Sequence, residues 1–248
     1  MNNLKISIIT AVYNNEDISE AILSVQHQSY QNIEHIIVDG DSSDGTLSAI
    51  KKIIKDGSIL ISESDDGIYD ALNKGFSNST GDIIGLLHSD DFFANSGVIA
   101  EVANAFMNPS VELVYGDLDY VSQRDSSRII RHWVAGNFSR TRLSFGWMPP
   151  HPTIFMRRSL VERLGGYDVS YRISGDFEII LRCFSDHSLS FIYLPHVLVK
   201  MRVGGTSNRS LRHIYIKMTE DYRALRRHSI GGIAALSWKS LSKIRQFF

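Results

Sequence analysis

The chain is nearly free of cysteine: Cys183 is the only one in 248 residues. A lone cysteine forms no internal disulfide and no thiolate cluster for a metal. It sits in the apolar helical run "EIILRCF", which assigns it to the core. No apolar run reaches 18 residues, so no transmembrane helix is expected. The start "MNNLKISIIT" lacks a charged region followed by a long apolar one, so no signal peptide is expected. There is no GxGxxG and no GxxxxGKS or GxxxxGKT loop, so a phosphate would have no glycine cradle. The formal net charge of −1 argues against bulk nucleic-acid binding. A cytoplasmic protein is the expectation.

What is present is 43% apolar and patterned. "KISIIT", "EHIIVDG", "SILISES" and "IIGLLH" read as four strands. Between them, "DISEAILSVQHQ", "GTLSAIKKIIK" and "IYDALNKGFSN" carry helical spacing. Strands alternating with helices over the first 90 residues mean βαβ units and a parallel sheet with right-handed crossovers. Beyond residue 95 the pattern loosens into a mixed half, with a helix at "GVIAEVANAF", strands at "VELVYGDLDYVS", "RIIRHWV" and "TIFM", and a helix at "GDFEIILRCF". "SFIYLP" and "VLVKMRV" read as two separate strands. Three of the five prolines fall in "MPPHP", a loop. The whole reads as one α/β domain with a central, mostly parallel mixed sheet flanked by helices.

In such sheets ligands bind outside the carboxyl ends of the strands. Here those ends collect carboxylates: Asp39 and Asp41 after strand two, Asp65 and Asp66 after strand three, Asp90 and Asp91 after strand four. Uncompensated, this edge repels itself, and a divalent cation reverses the balance. An all-oxygen donor set favours Mg²⁺ or Mn²⁺, which takes one or two carboxylates and fills its other positions with water and phosphate. The edge is therefore expected to hold a metal–diphosphate complex. Asp44 reads as a cap for the helix from Thr46. "DGDSSDG" places its glycine one position late for a calcium loop.

Three stretches then resemble glycosyltransferase family 2: "ISIITAVYNNEDISEAILSVQHQSYQNIEHIIVDGDSSDGT", "GIYDALNKGFSNSTGDIIGLLHSDD" and "GGYDVSYRISGDFEIILR". Their order holds over about residues 4–205. The likeness is greatest to bacterial members that build surface polysaccharides. It implies a GT-A fold, a single Rossmann-like domain over residues 1–210, and a hexosyl- or N-acetylhexosaminyl-type transferase that inverts configuration. The implied donor is a nucleotide-diphosphate sugar, UDP-linked, with Mn²⁺ or Mg²⁺ as cofactor. The implied donor-binding set is Thr10, Ala11, Tyr13, Asp39, Asp65, Asn73, Ser89 and Asp90. Asp91, with Asp90, would hold the metal, and Asp176 would be the general base. The chain departs from the family at His88, where many relatives have an aspartate, and at Asp65–Asp66–Gly67, where some have an arginine nearby. The chemistry asks for the same groups independently. Displacement needs a carboxylate to take the acceptor's proton and positive charge on the leaving diphosphate. Asp176 also suits the start of a helix as its N-cap. His151, between prolines, either touches acceptor or diphosphate or is structural, and "GGTSN" (204–208) is either a closing loop or a turn.

Charge is uneven. Residues 211–248 hold eight Lys/Arg against two Asp/Glu, and the remainder 18 against 25. This basic tail reads as a helix, a break at Gly231–Gly232 and an amphipathic segment bearing Trp238, Phe247 and Phe248. Two placements stay open: packed on the domain, or lying peripherally on the anionic inner face of the cell membrane. The second would suit a glycan or lipid-linked acceptor. Two other functions remain open to such a chain. A nucleotidyltransferase wants a basic, glycine-rich loop after strand one, which "TAVYNNED" is not. A non-catalytic nucleotide-sugar or glycan-binding protein that kept the fold has no need of Asp39, Asp90, Asp91 and Asp176 together.

Overall fold

The computed structural model describes residues 4–203 and 211–230. Four strands, β1 (Ile6–Val12), β2 (Ile33–Asp39), β3 (Ile59–Ser62) and β4 (Ile83–Leu86), lie parallel in the order β3-β2-β1-β4. β1 and β4 are buried along their full length, as expected of β-branched runs covered on both faces. The crossovers are α1 (Ser19–Gln26), α2 (Thr46–Ile53) and α3 (Ile68–Ser77). Alternation within the strands divides the core into two layers. Ile9, Ile36 and Val38 pack with α3, and Ile8 and Ile37 pack with α1 and α2. The strand order turns back at β1, because β2 lies on one side of it and β4 on the other. That reversal opens a crevice at the carboxyl ends of β1 and β4.

The second half extends the same sheet with β5 (Asp91–Phe93), β6 (Leu113–Val121), β7 (Ile129–Trp133), β8 (Phe155–Arg157) and β9 (Phe191–Arg202). The order continues β4-β8-β6-β9-β5, with β7 on β6, and antiparallel pairs enter at β8, β5 and β7. The two strands expected around Pro195 are one. β6 pairs with β9 through Gly116↔Leu194 and then Asp117↔Val197, so Pro195 and His196 are stepped over by a bulge. A proline cannot donate to the ladder, and a bulge is where a strand accommodates one. β5 was not expected, because three residues are too few to show a period. The helices here are α4 (Val98–Ala105), α5 (Arg140–Ser144), α6 (Arg158–Leu164) and α7 (Gly175–Ser185). Cys183 is buried in α7, as the sequence implies.

The first part of the basic tail is helix α8 (Leu211–Arg227), and it packs on α7. Ala224 and Leu225 are fully buried. The junction is ionic as well as apolar. Glu178 of α7, with no exposed surface, meets Arg182 at 2.6 Å and His228 at 3.2 Å. Burial raises the Glu178 pKa, and His228 and Arg182 more than offset this, so it lies below its usual value. The amphipathic segment expected over 233–248 and the "GGTSN" loop lie outside the described residues. Among the described residues no helix is long and apolar enough to cross a membrane.

Candidate active site

The crevice is walled on one side by the ends of β1, β2 and β3. The register Val12↔Asp39↔Ser62 sets their last residues in line. Thr10 is fully buried and its Oγ1 lies 3.0 Å from His35 Nε2, so its hydroxyl is engaged inside the sheet. Burial lowers the His35 pKa to about 4, leaving a neutral ring. Ala11 is buried, whereas Tyr13 is 64% exposed and forms the lip. Asp39 is fully buried and accepts from Ser62 Oγ at 2.7 Å and from the Ser42 amide at 3.3 Å. Asp65 accepts from the Gly67 amide at 2.9 Å. Its other oxygen lies against Gly40, where a Cβ would come within 2.4 Å of it and 3.4 Å of the Tyr13 ring. A glycine is thus required where Tyr13, Asp39 and Asp65 converge. Asn73 is engaged within the fold. Its amide donates to the Tyr167 carbonyl (2.9 Å) and accepts from the Tyr167 N–H (2.8 Å), so both ends clamp backbone.

The "HSDD" segment leaves β4 and enters β5. Ser89 Oγ accepts from Asn15 Nδ2 at 3.1 Å, tying the segment to the loop after β1. Asp90 is partly exposed and Asp91 is only 1% exposed. Asp91 is in register with Met201, and Met201 with Tyr120, so the three share a face of the sheet. Met201 and Tyr120 pack on the apolar cluster of that face. Neither Asp91 oxygen has a hydrogen-bond partner, an arrangement that calls for a cation or a proton. Burial first, and Asp90 second, push its pKa well above the usual carboxylate range, against a smaller lowering by the backbone N–H and charge of Arg202. Arg202, which ends β9, donates to the Asp90 carbonyl at 3.3 Å, pairs with Glu20 and stacks on Phe92. Among the described residues no group of three His, Cys, Asp or Glu side chains can hold a metal by itself. The donor set of Asp90 and the unpartnered Asp91 fits an ion that needs one or two carboxylates and takes its other ligands from phosphate.

Asp176 stands across the crevice. It is the second residue of α7 and partly exposed, while Ser174 occupies the N-cap position. Its amide donates to Tyr69 Oη at 3.2 Å, and Tyr69 Oη donates to the Ile173 carbonyl at 2.7 Å. Its charge is felt by His88, which also feels Asp90. It is felt too by His151 and by Tyr120, and Tyr120 also feels Asp91. The His88 and His151 rings are 6.0 Å apart. Burial lowers both histidine pKa values, that of His151 to about 4. His151 Nε2 is hydrogen-bonded to Tyr167 Oη, which ties it to the backbone that Asn73 clamps. The crevice thus brings Asp90, His88, His151 and Asp176 together. Tyr69, Arg202 and Glu220 were missed. Glu220 of α8 accepts from the amides of Arg172 (2.9 Å), Ile173 (2.9 Å) and Ser174 (2.8 Å), directly ahead of Asp176. No local motif announces it, because its partners lie 46 to 48 residues away.

The mixed sheet with this crevice is the GT-A fold of nucleotide-sugar transferases. Residues 7–165 match the family described as Glycosyl transferase family 2, and the chain belongs to that family. It is a glycosyltransferase. It is 33% identical over 220 residues to a PGL/p-HBAD biosynthesis glycosyltransferase of Mycobacterium bovis BCG, covering 85% of this chain and 82% of that one. Two solved structures share the fold. One is the mannosyltransferase PcManGT from Pyrobaculum calidifontis with GDP-Man and Mn²⁺ (TM-score 0.66, 18% identity, 98% of this chain and 74% of that one). The other is S. aureus TarS 1-349 with UDP-GlcNAc (TM-score 0.66, 15% identity, 92% of this chain). The chain spans 66% of the length of that TarS fragment.

Proposed function

We propose that the chain transfers a sugar, with inversion, from a UDP-linked donor to a hydroxyl of a glycan or lipid-linked acceptor in polysaccharide biosynthesis. The observation that supports this reading is the surroundings of His88: it stands two residues ahead of Asp90, its ring is 6.0 Å from that of His151, and it lies near Asp176 at the start of α7. The Asp176 carboxylate takes the proton of the acceptor hydroxyl as its oxygen attacks the anomeric carbon. The new C–O bond forms on the face opposite the diphosphate, whose bond to that carbon breaks with its electron pair. Tyr13, Asp39 and Asp65 hold the nucleoside end of the donor, and Asp90 the ribose and metal. Asp90 and Asp91 would hold Mn²⁺ or Mg²⁺, which when bound supplies positive charge to the leaving diphosphate. Neutral His88 and His151 line the space between without opposing either step. The TarS structure with UDP and the PcManGT structure with GDP-Man and Mn²⁺ support a nucleotide-sugar donor and a divalent metal. Residues 1–210 form the catalytic domain and 211–248 a tail. The proposed place is the cytoplasmic side of the cell membrane.

The test is release of nucleoside diphosphate from a panel of UDP-, GDP- and dTDP-sugars with Mn²⁺, Mg²⁺ or EDTA. The proposal expects slow release from a UDP-sugar that EDTA abolishes and that Asp90→Ala lacks. Release that is indifferent to EDTA overturns the metal assignment, and release from a GDP- or dTDP-sugar alone overturns the donor assignment.

A further inference from the structure

α8 is anchored through its second half. Asp221, Ala224 and Leu225 are buried against the domain, and Glu220 is bound to the backbone of residues 172–174. Ile214, Met218 and Tyr222, one helical turn apart, form a stripe with Tyr215, and these four are 45%, 48%, 38% and 70% exposed. An apolar stripe of this size on a helix with a polar partner face marks a contact surface. Its charge selects the partner. The two acids of the helix face the domain, whereas Arg212, His213 and Arg226 are exposed. The sequence that follows, residues 231–248, adds Lys239, Lys243 and Arg245 and no acid. The rest of the chain has an excess of acid, so residues 211–248 form the one stretch of strong positive balance, eight Lys/Arg against two Asp/Glu.

We propose that the exposed stripe of α8 is a docking surface for an anionic lipid bilayer. Tyr215 and its neighbours enter the boundary between head groups and acyl chains, and the flanking arginines meet the negative surface. The location has a consequence for the acceptor. Ser174 Oγ donates to the Lys217 carbonyl at 3.4 Å, and Glu220 holds the segment that leads into Asp176. A bilayer on this stripe lies beside the general base, where a lipid-linked hydroxyl would arrive. This last step rests on the transferase reading; the docking itself does not.

The experiment is flotation of the full chain with vesicles of phosphatidylcholine containing phosphatidylglycerol, and with phosphatidylcholine alone. Three variants run in parallel: the triple change Ile214→Ser, Tyr215→Ser, Met218→Ser; Arg212→Glu with Arg226→Glu; and a chain ending at residue 230. The wild type is expected to float with the anionic vesicles only, and salt should release it. Each multiple variant should lose about tenfold or more of the bound fraction, and the truncated chain should keep the part that α8 provides. Donor hydrolysis in vesicle-free solution should be unchanged in the triple variant, which separates loss of docking from loss of catalysis or folding. The proposal is overturned if the wild type stays unbound, or if the triple variant floats like the wild type. It is also overturned if sedimentation shows a wild-type dimer that the triple change breaks, since the stripe then serves a second copy. Binding by the truncated chain but not by the full one overturns it too, since residues 231–248 then cover the stripe.

Discussion

Glu220 and Asp176 stand on different helices, and the first fixes the backbone that presents the second. The Glu220 carboxylate takes the amides of Arg172, Ile173 and Ser174, and the next turn carries Asp176. A charge-assisted bond contributes about 1.5–3 kcal/mol, and three that share one half-buried carboxylate do not add, because the freed amides regain water. Glu220→Ala is expected to lower global stability by about 2 kcal/mol and turnover by one to two orders of magnitude, with donor affinity unchanged. Glu220→Gln keeps an acceptor oxygen and should fall between. Denaturant melts, donor titration and turnover on the three proteins check this. An equal loss of donor affinity would show that Glu220 acts elsewhere.

The Asp90–Asp91 pair predicts linked binding of metal and diphosphate. Mn²⁺ with UDP should raise Tm, EDTA should remove the rise, and Asp90→Ala should remove most of it. Mn²⁺ alone should do little, because no three-ligand group stands ready among the described residues. Calorimetry of UDP with and without Mn²⁺ measures the coupling directly.

Asn73 separates a structural from a donor-binding role. Asn73→Ala removes both bonds to Tyr167 and leaves a buried amide and carbonyl without partners. A loss of about 2 kcal/mol follows, with KM for the donor close to wild type. A raised KM at unchanged stability would restore the role implied by the family resemblance.

Glu34 sets an acid limit on stability. It is nearly buried, bonded to Lys5 (2.6 Å), Ser7 (2.6 Å) and Thr80 (2.8 Å). Burial alone would raise its pKa, and these partners instead bring it from 4.5 down to about 2. A depressed folded-state pKa gives stability that is complete above about pH 4.5 and lost as the pH falls toward 2. Glu34→Gln should cost about 3 kcal/mol at neutral pH and flatten the acid limb of the stability–pH curve.

The parallel half was legible because its signals are local. β-branched runs and helical periods alternate with turn residues, and each strand end carries its carboxylates in the next few positions. The mixed half was less so. β5 is three residues long and owes its existence to pairing with β9, and Pro195 hid in a bulge that only β6 defines. Within the site, the residue types were readable but not their directions. Thr10 and Asn73 sit in matching motifs, yet their polar groups serve His35 and Tyr167. Asp90 and Asp91 are identical in sequence terms, and the register with Met201 and Tyr120 leaves one carboxylate partly exposed and buries the other. Tyr69, Arg202 and Glu220 reach the site across the fold, which no spacing rule records.

The central claim is that Asp176 is the base of the transfer. Asp176→Asn keeps the shape and removes the proton acceptor, so its effect isolates the role. The measurement is single-turnover sugar transfer by this variant, with UDP-sugar affinity determined alongside. The account predicts unchanged donor affinity and a transfer rate lower by two orders of magnitude or more, the range that general-base loss gives. Transfer at the wild-type rate with Asn at position 176 would contradict it.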